Sequence, residues 1–407
     1  MVNRFCVAID ARLPDSSVGG VQQVISTLAI GFRDIHETSI RRIWLVYKGT
    51  KWWKDYVPSE DQIIEMKSPL GKSGMRISLM FPNLVSRVIP FMKSLGSSST
   101  KRTDKTLRKL GVDLVHQPFQ DAIRTSLPSI FHPHDLQHLY YPHFFSKAQL
   151  RHRETNWRSA AKVASVVIAE TELVKEDLIL QWKIDAKKIV IVPTPPLRRS
   201  PKMKDNVVSE PYILYPAAFW PHKNHENLIA AVALLKEKGI YVQLVLTGSK
   251  IGKYGEIVNL VKALEIEPLV SIYGHVEDKR FETILDGALA VIIPTLFESL
   301  SLPVWDAQIR GIPVGCSNIG SLPLQVGNSA LLFDPLSPSD IAGVLEELWT
   351  NSLSRDYLSS RGIERTQFLN CTTFALAITG LYKVELGLQK TDQEHLALKQ
   401  LQDSVNN

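Results

Sequence analysis

Residues 294–314 read Pro294-Thr-Leu-Phe-Glu298-Ser-Leu-Ser301-Leu-Pro303-Val-Trp-Asp306-Ala-Gln-Ile-Arg310-Gly311-Ile-Pro-Val314. A strand enters at Pro294 and a loop carries Glu298. Ser301 is placed to cap a helix that begins near Leu302, Pro303 suits its first turn, and Gly311 suits its end. A second strand, Ile312–Ser317, follows at once. Strand, loop, helix, strand is the repeating unit of a parallel sheet, and ligands of such sheets bind beyond the carboxyl ends of the strands. The unpaired N–H groups at the helix start favour an anion and suit a diphosphate. Two carboxylates eight residues apart flank that start. Glu298 can face a ligand from the loop and Asp306 can reach it from the second turn, each accepting hydrogen bonds from hydroxyls. Alternatively, both acids only complement the helix dipole.

The same alternation extends in both directions. Strands are expected at Tyr212–Ala218, Val242–Gly248, Leu269–Val276, Leu289–Leu296, Ile312–Ser317 and Ala330–Asp334. Helices are expected between them at Glu226–Lys238, Glu256–Leu264, Arg280–Leu285, Leu302–Arg310 and Ser339–Thr350. Upstream, Pro193-Thr-Pro-Pro196 with Arg198, Arg199 and Lys202 breaks the pattern as a linker. Before it a second series appears: strands at Phe5–Asp10, Ile43–Tyr47, Gln62–Met66, Val112–His116, Val166–Glu170 and Lys188–Thr194, with helices at Val21–Asp34 and Glu172–Trp182. The fold class is therefore α/β, with two doubly wound Rossmann-like domains, 1–195 and 196–366, facing a central cleft. Helices from about 367 are free to pack back on the first domain, and 391–407 reads as a polar, frayed tail.

Composition agrees. The chain has 407 residues, of which 44% are hydrophobic and 22% charged, as in ordinary folded proteins. No apolar run approaches the ~20 residues of a spanning helix. The net charge of +6 divides unevenly, with 30 basic and 18 acidic residues in 1–200 against 17 and 23 in 201–407. Such asymmetry suggests two domains with different partners, or compositional drift between two solvated surfaces. Cys6, Cys316 and Cys371 form no paired motif, and the short apolar start ends at Asp10, so the reading is a reduced cytoplasmic chain without a signal peptide. The segment Arg76–Leu95 is amphipathic and leads to Lys101, Arg102, Lys105, Arg108 and Lys109. That combination suits peripheral contact with an anionic membrane, or a core helix followed by a solvated loop.

Two further stretches carry polar chemistry. Tyr215-Pro-Ala-Ala-Phe-Trp-Pro-His222-Lys223-Asn224-His225-Glu226 follows a strand and opens a helix, which places Lys223 to neutralise phosphate; otherwise it is a solvated loop lysine. His132-Pro-His134-Asp135-Leu-Gln-His138-Leu-Tyr-Tyr-Pro-His143 holds four histidines and one aspartate within twelve residues. Their spacing follows no metal-ligand pattern, and Pro133 breaks any regular element, so His134 reads as a polar cleft group rather than a metal ligand. Gly71-Lys72-Ser73 fails as a phosphate loop because Met66 stands where glycine is required. No dinucleotide fingerprint, nucleophile elbow or nucleic-acid reader motif is present.

Together these residues resemble the retaining, nucleotide-sugar-dependent glycosyltransferases of family 4, which have the two-domain GT-B fold. Glu298 and Asp306 align with the family's Glu-x7-Glu motif. Ser321-Leu-Pro, Val326-Gly327 and Ala330-Leu-Leu-Phe-Asp-Pro335 look like the segment after it. Phe219-Trp-Pro-His-Lys-Asn-His225 resembles the phosphate-binding lysine motif of mannosyltransferase-like members. His132–Pro142 resembles the N-domain His-Asp segment, and Gly19-Gly20 the glycine loop.

The resemblance implies roles. Lys223 neutralises the donor diphosphate, Glu298 holds the transferred sugar and Asp306 the ribose. Backbone amides of Ser299, Leu300, Ser301 and Leu302, with Gly19 and Gly20, cradle sugar and phosphate. His134 lies near the reacting carbon, beside Asp135 on the acceptor side. No metal or other cofactor is expected. The implied partners are a nucleotide sugar, with GDP-mannose favoured, and a glycan or lipid-linked acceptor; nucleic acid is not among them. Three departures stand out. Asp306 is one methylene shorter than glutamate, Ser299-Leu300-Ser301 replaces Gly-x-Gly, and Ala217-Ala218 stands where Gly-Arg is usual.

Overall fold

A computed structural model of the chain describes residues 4–15, 20–67, 100–197 and 211–406. Gly19, the segment Arg76–Leu95 and the basic part of the linker lie outside the described residues. The chain forms two compact units, Met1–Leu197 with Asn370–Gln402, and Arg198–Leu369 with Asp403–Asn407.

The first unit is built on seven parallel strands: β1 (Phe5–Asp10), β2 (Ile40–Tyr47), β3 (Gln62–Met66), β4 (Leu114–Gln117), β5 (Ser129–Phe131), β6 (Val166–Ala169) and β7 (Ile189–Ile191). Their order is β3-β2-β1-β4-β5-β6-β7. The direction of winding reverses between β1 and β4, so the carboxyl ends of these central strands form the natural ligand crevice of the sheet. Val7, Ala8 and Ile9 are fully buried, because helices cover both faces of a parallel sheet and leave no room for polar alternation. β5 escapes a sequence reading because Ser129–Phe131 has only two apolar residues, set between Pro128 and His132-Pro133, with no longer apolar run to mark it. The helical run Lys147–His152, Arg153–Trp157 and Arg158–Val163 escapes it as well. It opens with a capping box from Ser146 and Gln149, and its middle turn is π-helical.

The helix Cys371–Glu385 packs against the helix Gly20–Asp34 within this unit. Gly31 sits at the crossing. A Cβ added there would lie 2.0 Å from the Cys371 carbonyl oxygen, so only glycine permits this approach. The final residues correct one expectation. Instead of a frayed polar tail they form a helix, Asp392–Asn406, that buries Ala397, Leu401 and Val405. One apolar residue per turn is enough to seat a helix yet too sparse to stand out among polar neighbours.

The second unit holds six parallel strands: β8 (Ile213–Pro216), β9 (Leu244–Thr247), β10 (Val270–Gly274), β11 (Ala290–Ile293), β12 (Val314–Ser317) and β13 (Leu331–Phe333). Their order is β10-β9-β8-β11-β12-β13. The winding reverses between β8 and β11. The loops that follow these neighbouring strands carry Lys223 and Glu298.

Candidate active site

The carboxyl edge of the six-stranded sheet is assembled by backbone bonds before any ligand is considered. After β8 the chain makes one 3-10 turn, Pro221–Lys223, and enters the helix His225–Glu237 through Asn224. Asn224 adopts φ 57°, a left-handed conformation that asparagine tolerates better than most residues. Its buried amide donates to the carbonyls of Pro294 and Pro335 at 2.9 and 2.7 Å. The Leu296 N–H and the Thr295 hydroxyl both donate to the His222 carbonyl, at 2.7 and 3.1 Å. Tyr215 donates its hydroxyl to the Lys223 carbonyl at 2.7 Å. The Asn224 bonds are buried, which makes them expensive to lose, about 1–3 kcal/mol where an acceptor is left bare; those to the His222 and Lys223 carbonyls are partly buried. The lysine loop and the glutamate loop are therefore tied to each other.

Within that frame Lys223 Nζ donates to both carboxylate oxygens of Glu298, at 3.0 and 3.2 Å. The two side chains are only 20% and 14% exposed, so the pair is shielded without being sealed from a ligand. Around it the neighbours are neutral. Burial, with the charge of Lys223, pushes the imidazoles of His222 and His225 down to about 3. Burial and the nearby Glu298 push the Tyr215 phenol far up. Lys223 and Glu298 thus form a charged pair beside neutral neighbours.

The helix Leu302–Ile309 begins beside Glu298, with Ser301 at its N-cap. The expected cap bond is not made. The Ser301 hydroxyl is buried without a hydrogen-bond partner, and Gln325 holds the backbone instead. Ser301 N–H donates to Gln325 Oε1 at 2.9 Å, and Gln325 Nε2 donates to the Ser301 carbonyl at 2.8 Å. The Ser301 amide, read from sequence as part of the phosphate cradle, is therefore already engaged by Gln325. Ser299, Leu300 and Leu302 stand beside it in the same turn. Asp306 projects from the second turn and accepts from Arg310 Nε at 3.3 Å; Arg310 Nη1 donates to Asp286 at 2.6 Å. Arg310 is only 8% exposed. The shorter acid is thus held from one turn further along its own helix.

In the first unit, His134 lies past the carboxyl end of β5, buried and with φ 62°. Its Nδ1 is 3.2 Å from Glu170 Oε1 and its Nε2 is 3.0 Å from the Pro118 carbonyl. Both partners are acceptors, an arrangement that favours a proton on each ring nitrogen. Burial opposes the charged ring, but Glu170 and Asp135 outweigh it and raise the pKa. Thr194 donates to the same Glu170 oxygen at 3.0 Å. Asp135 accepts from the Gln137 N–H at 3.0 Å and lies 3.7 Å from Arg153. Gly20 opens the helix Gly20–Asp34.

The other histidines have their own partners. His132 pairs with His116 at 2.9 Å, His116 reaches the Tyr382 hydroxyl at 2.5 Å, and His138 faces Glu154 at 2.8 Å. Burial pushes the His116 imidazole down to about 3 and lowers those of His132 and His138. Among the described residues no three His, Cys, Asp or Glu side chains converge as metal ligands do.

Sequence reasoning passed over Asn224, Thr295, Gln325 and Arg310 as working residues. Asn224 was visible as a residue suited to a left-handed turn just before a helix. Gln325 gave no signal, because its partner is 24 residues away.

Comparison with known proteins follows the same division. Residues 18–195 match the model described as Glycosyltransferase Family 4, and residues 199–365 match that of the Glycosyl transferases group 1. The chain is 26% identical over 255 residues to the O-antigen chain mannosyltransferase B of Escherichia coli, covering 59% of this chain and 67% of that one. It is 26% identical over 193 residues to the MMP alpha-(1->4)-mannosyltransferase of Mycolicibacterium hassiacum, covering 46% of each. These matches span about half to two thirds of the relatives' own lengths. In fold it is similar to the sucrose-phosphate synthase of Thermosynechococcus elongatus, with a TM-score of 0.72, 18% identity, and coverage of 94% of this chain and 100% of that one. The Anabaena HepE structure in complex with UDP and glucose gives a TM-score of 0.67 at 16% identity, with coverage of 94% and 100%.

Proposed function

Given that this chain belongs to the glycosyltransferases, with a Family 4 domain followed by a group 1 domain, we propose that it moves a hexose from a nucleotide diphosphate sugar to a glycan or lipid-linked acceptor, with retention at the transferred carbon. The carrying observation is the Lys223–Glu298 contact at the carboxyl edge of the six-stranded sheet. A transfer of this kind needs the leaving diphosphate stabilised and the acceptor hydroxyl held on the same face. Lys223 and the start of the helix Leu302–Ile309 supply the positive field for the diphosphate. Glu298 and Asp306 accept from sugar and ribose hydroxyls. His134, its pKa raised by Glu170, lies on the acceptor-binding unit beside Asp135. The reaction proceeds without a metal. Mannose, carried by GDP, is the favoured sugar because two similar proteins are mannosyltransferases; the HepE structure in complex with UDP-glucose makes that donor the competitor to test. The setting is polysaccharide or lipopolysaccharide assembly in the cytoplasm.

A thermal-shift screen of nucleotide sugars tests the donor. GDP-mannose at ~100 times its dissociation constant should stabilise the folded protein by about 2.7 kcal/mol, a shift of several degrees. Incubation with acceptor should then release GDP. A shift with UDP-glucose alone reassigns the donor. Binding without release of nucleotide from any donor points to a scaffold with a degenerate site, and no shift with any nucleotide sugar defeats the proposal.

Contact with an anionic membrane belongs to the same reading. The helix Thr100–Lys109 buries Leu107 and exposes Lys101, Arg102, Lys105, Arg108 and Lys109. Among the described residues no helix is long and apolar enough to cross a membrane. At about 1 kcal/mol per basic residue near such a surface, changing these five to serine should abolish sedimentation with phosphatidylglycerol vesicles and leave donor hydrolysis intact. Unchanged sedimentation would mark the helix as a solvated face.

A further inference from the structure

We propose that the Lys223–Glu298 pair makes the donor site selective for a nucleotide that still carries its sugar over the same nucleotide without it, an inference that rests on the donor-site reading above. Lys223 Nζ is bound by both Glu298 oxygens, and the two side chains are mostly withdrawn from water. The loops beneath them are joined through Asn224, Thr295, Leu296 and the His222 carbonyl. The two loops are therefore tied together, and the carboxylate and the ammonium stay within reach of each other when a ligand arrives.

A diphosphate must take Lys223 from Glu298. A complete donor replaces what it takes, because its sugar hydroxyls donate to the carboxylate that the lysine leaves. A nucleoside diphosphate without sugar takes the lysine and returns nothing, so a largely shielded carboxylate loses its donor. The pair closes again most readily once the sugar has gone, and the spent nucleotide is released. Glu298 then has a specificity role besides holding the sugar: it competes with the product for one cation.

Calorimetry with GDP and with UDP on wild type, Glu298→Gln, Lys223→Met and the double variant tests this. Whichever diphosphate binds the wild type should bind Glu298→Gln about tenfold tighter, and the cycle should close, since in the Lys223→Met background the same substitution should change affinity less than about twofold. Glutamine keeps the shape of glutamate, so melting temperatures should stay close; Glu298→Ala should move affinity in the same direction. Unchanged or weaker binding by Glu298→Gln overturns the inference. So does an equal gain in the Lys223→Met background, which would mean plain repulsion between carboxylate and phosphate. If none of the four proteins binds either diphosphate, the donor-site reading itself has failed. If they bind with equal affinity, only this inference has failed.

Discussion

Lys223→Ala is expected to lower kcat/KM for sugar transfer by about 10² to 10³, the usual loss when one preorganised electrostatic partner is removed from a developing negative charge. The leaving group is a diphosphate, whose charge grows as the bond to the sugar breaks. Lys223 is held for that role by its surroundings, with its carbonyl tied to Tyr215 and its ammonium aimed at the loop that bears Glu298. Arginine should rescue poorly. Its planar fork is larger than an ammonium and would have to displace Glu298 to fit. The backbone bonds of the turn do not involve the lysine side chain, so the fold should survive. The measurement is release of nucleotide from the donor identified by thermal shift, with and without acceptor, compared at matched folded fraction. Wild-type rates in Lys223→Ala would remove the lysine from the site.

The elements whose signals are local were legible in the sequence. Twelve of the strands reveal themselves through apolar runs bounded by turn residues, and the helix starting at Leu302 through its serine, proline and glycine. β5 was not legible, since Ser129–Phe131 offers only two apolar residues in a histidine- and proline-rich surround, whereas the equally short β7 and β13 lie in longer apolar runs. The site divides in the same way. Lys223, Glu298 and Asp306 stand in local motifs, and their loops follow neighbouring strands. What those motifs hide is how each group is satisfied. Ser301 looks like its own cap, but its backbone is held by Gln325. Asp306 looks like an open acid, but Arg310 reaches it. The four histidines after β5 look alike, yet His134 sits beside acceptors that raise its pKa, whereas burial lowers those of His132 and His138. Each of these outcomes depends on a partner 4 to 36 residues away, and only the tertiary fold chooses it.

Gly31→Ala should be among the most damaging single-methyl changes in the first unit. The added Cβ would lie 2.0 Å from the Cys371 carbonyl oxygen, 2.6 Å from its carbon and 2.7 Å from the Ala375 Cβ. Two of these are backbone atoms, which cannot rotate aside as the end of a flexible side chain would. The helices Gly20–Asp34 and Cys371–Glu385 must separate, and everything packed between them is disturbed. That includes the Phe32–Tyr382 ring contact and the Tyr382–His116 bond, which joins the helix Cys371–Glu385 to the strand β4. Overpacking in a core commonly costs 1–3 kcal/mol. A backbone collision at a helix crossing belongs at the upper end, about 3 kcal/mol, enough to move a urea midpoint by roughly 1–2 M. Gly343→Ala is the control. Gly343 lies in the helix Pro338–Thr350, and a Cβ there meets nothing within 4 Å, so alanine should stabilise by up to about 1 kcal/mol through helix propensity. Opposite signs for the same substitution separate steric approach from propensity. If Gly31→Ala unfolds at the wild-type midpoint, the two helices do not meet as closely as described, and the attachment of residues 371–385 to the first unit must rest on other contacts.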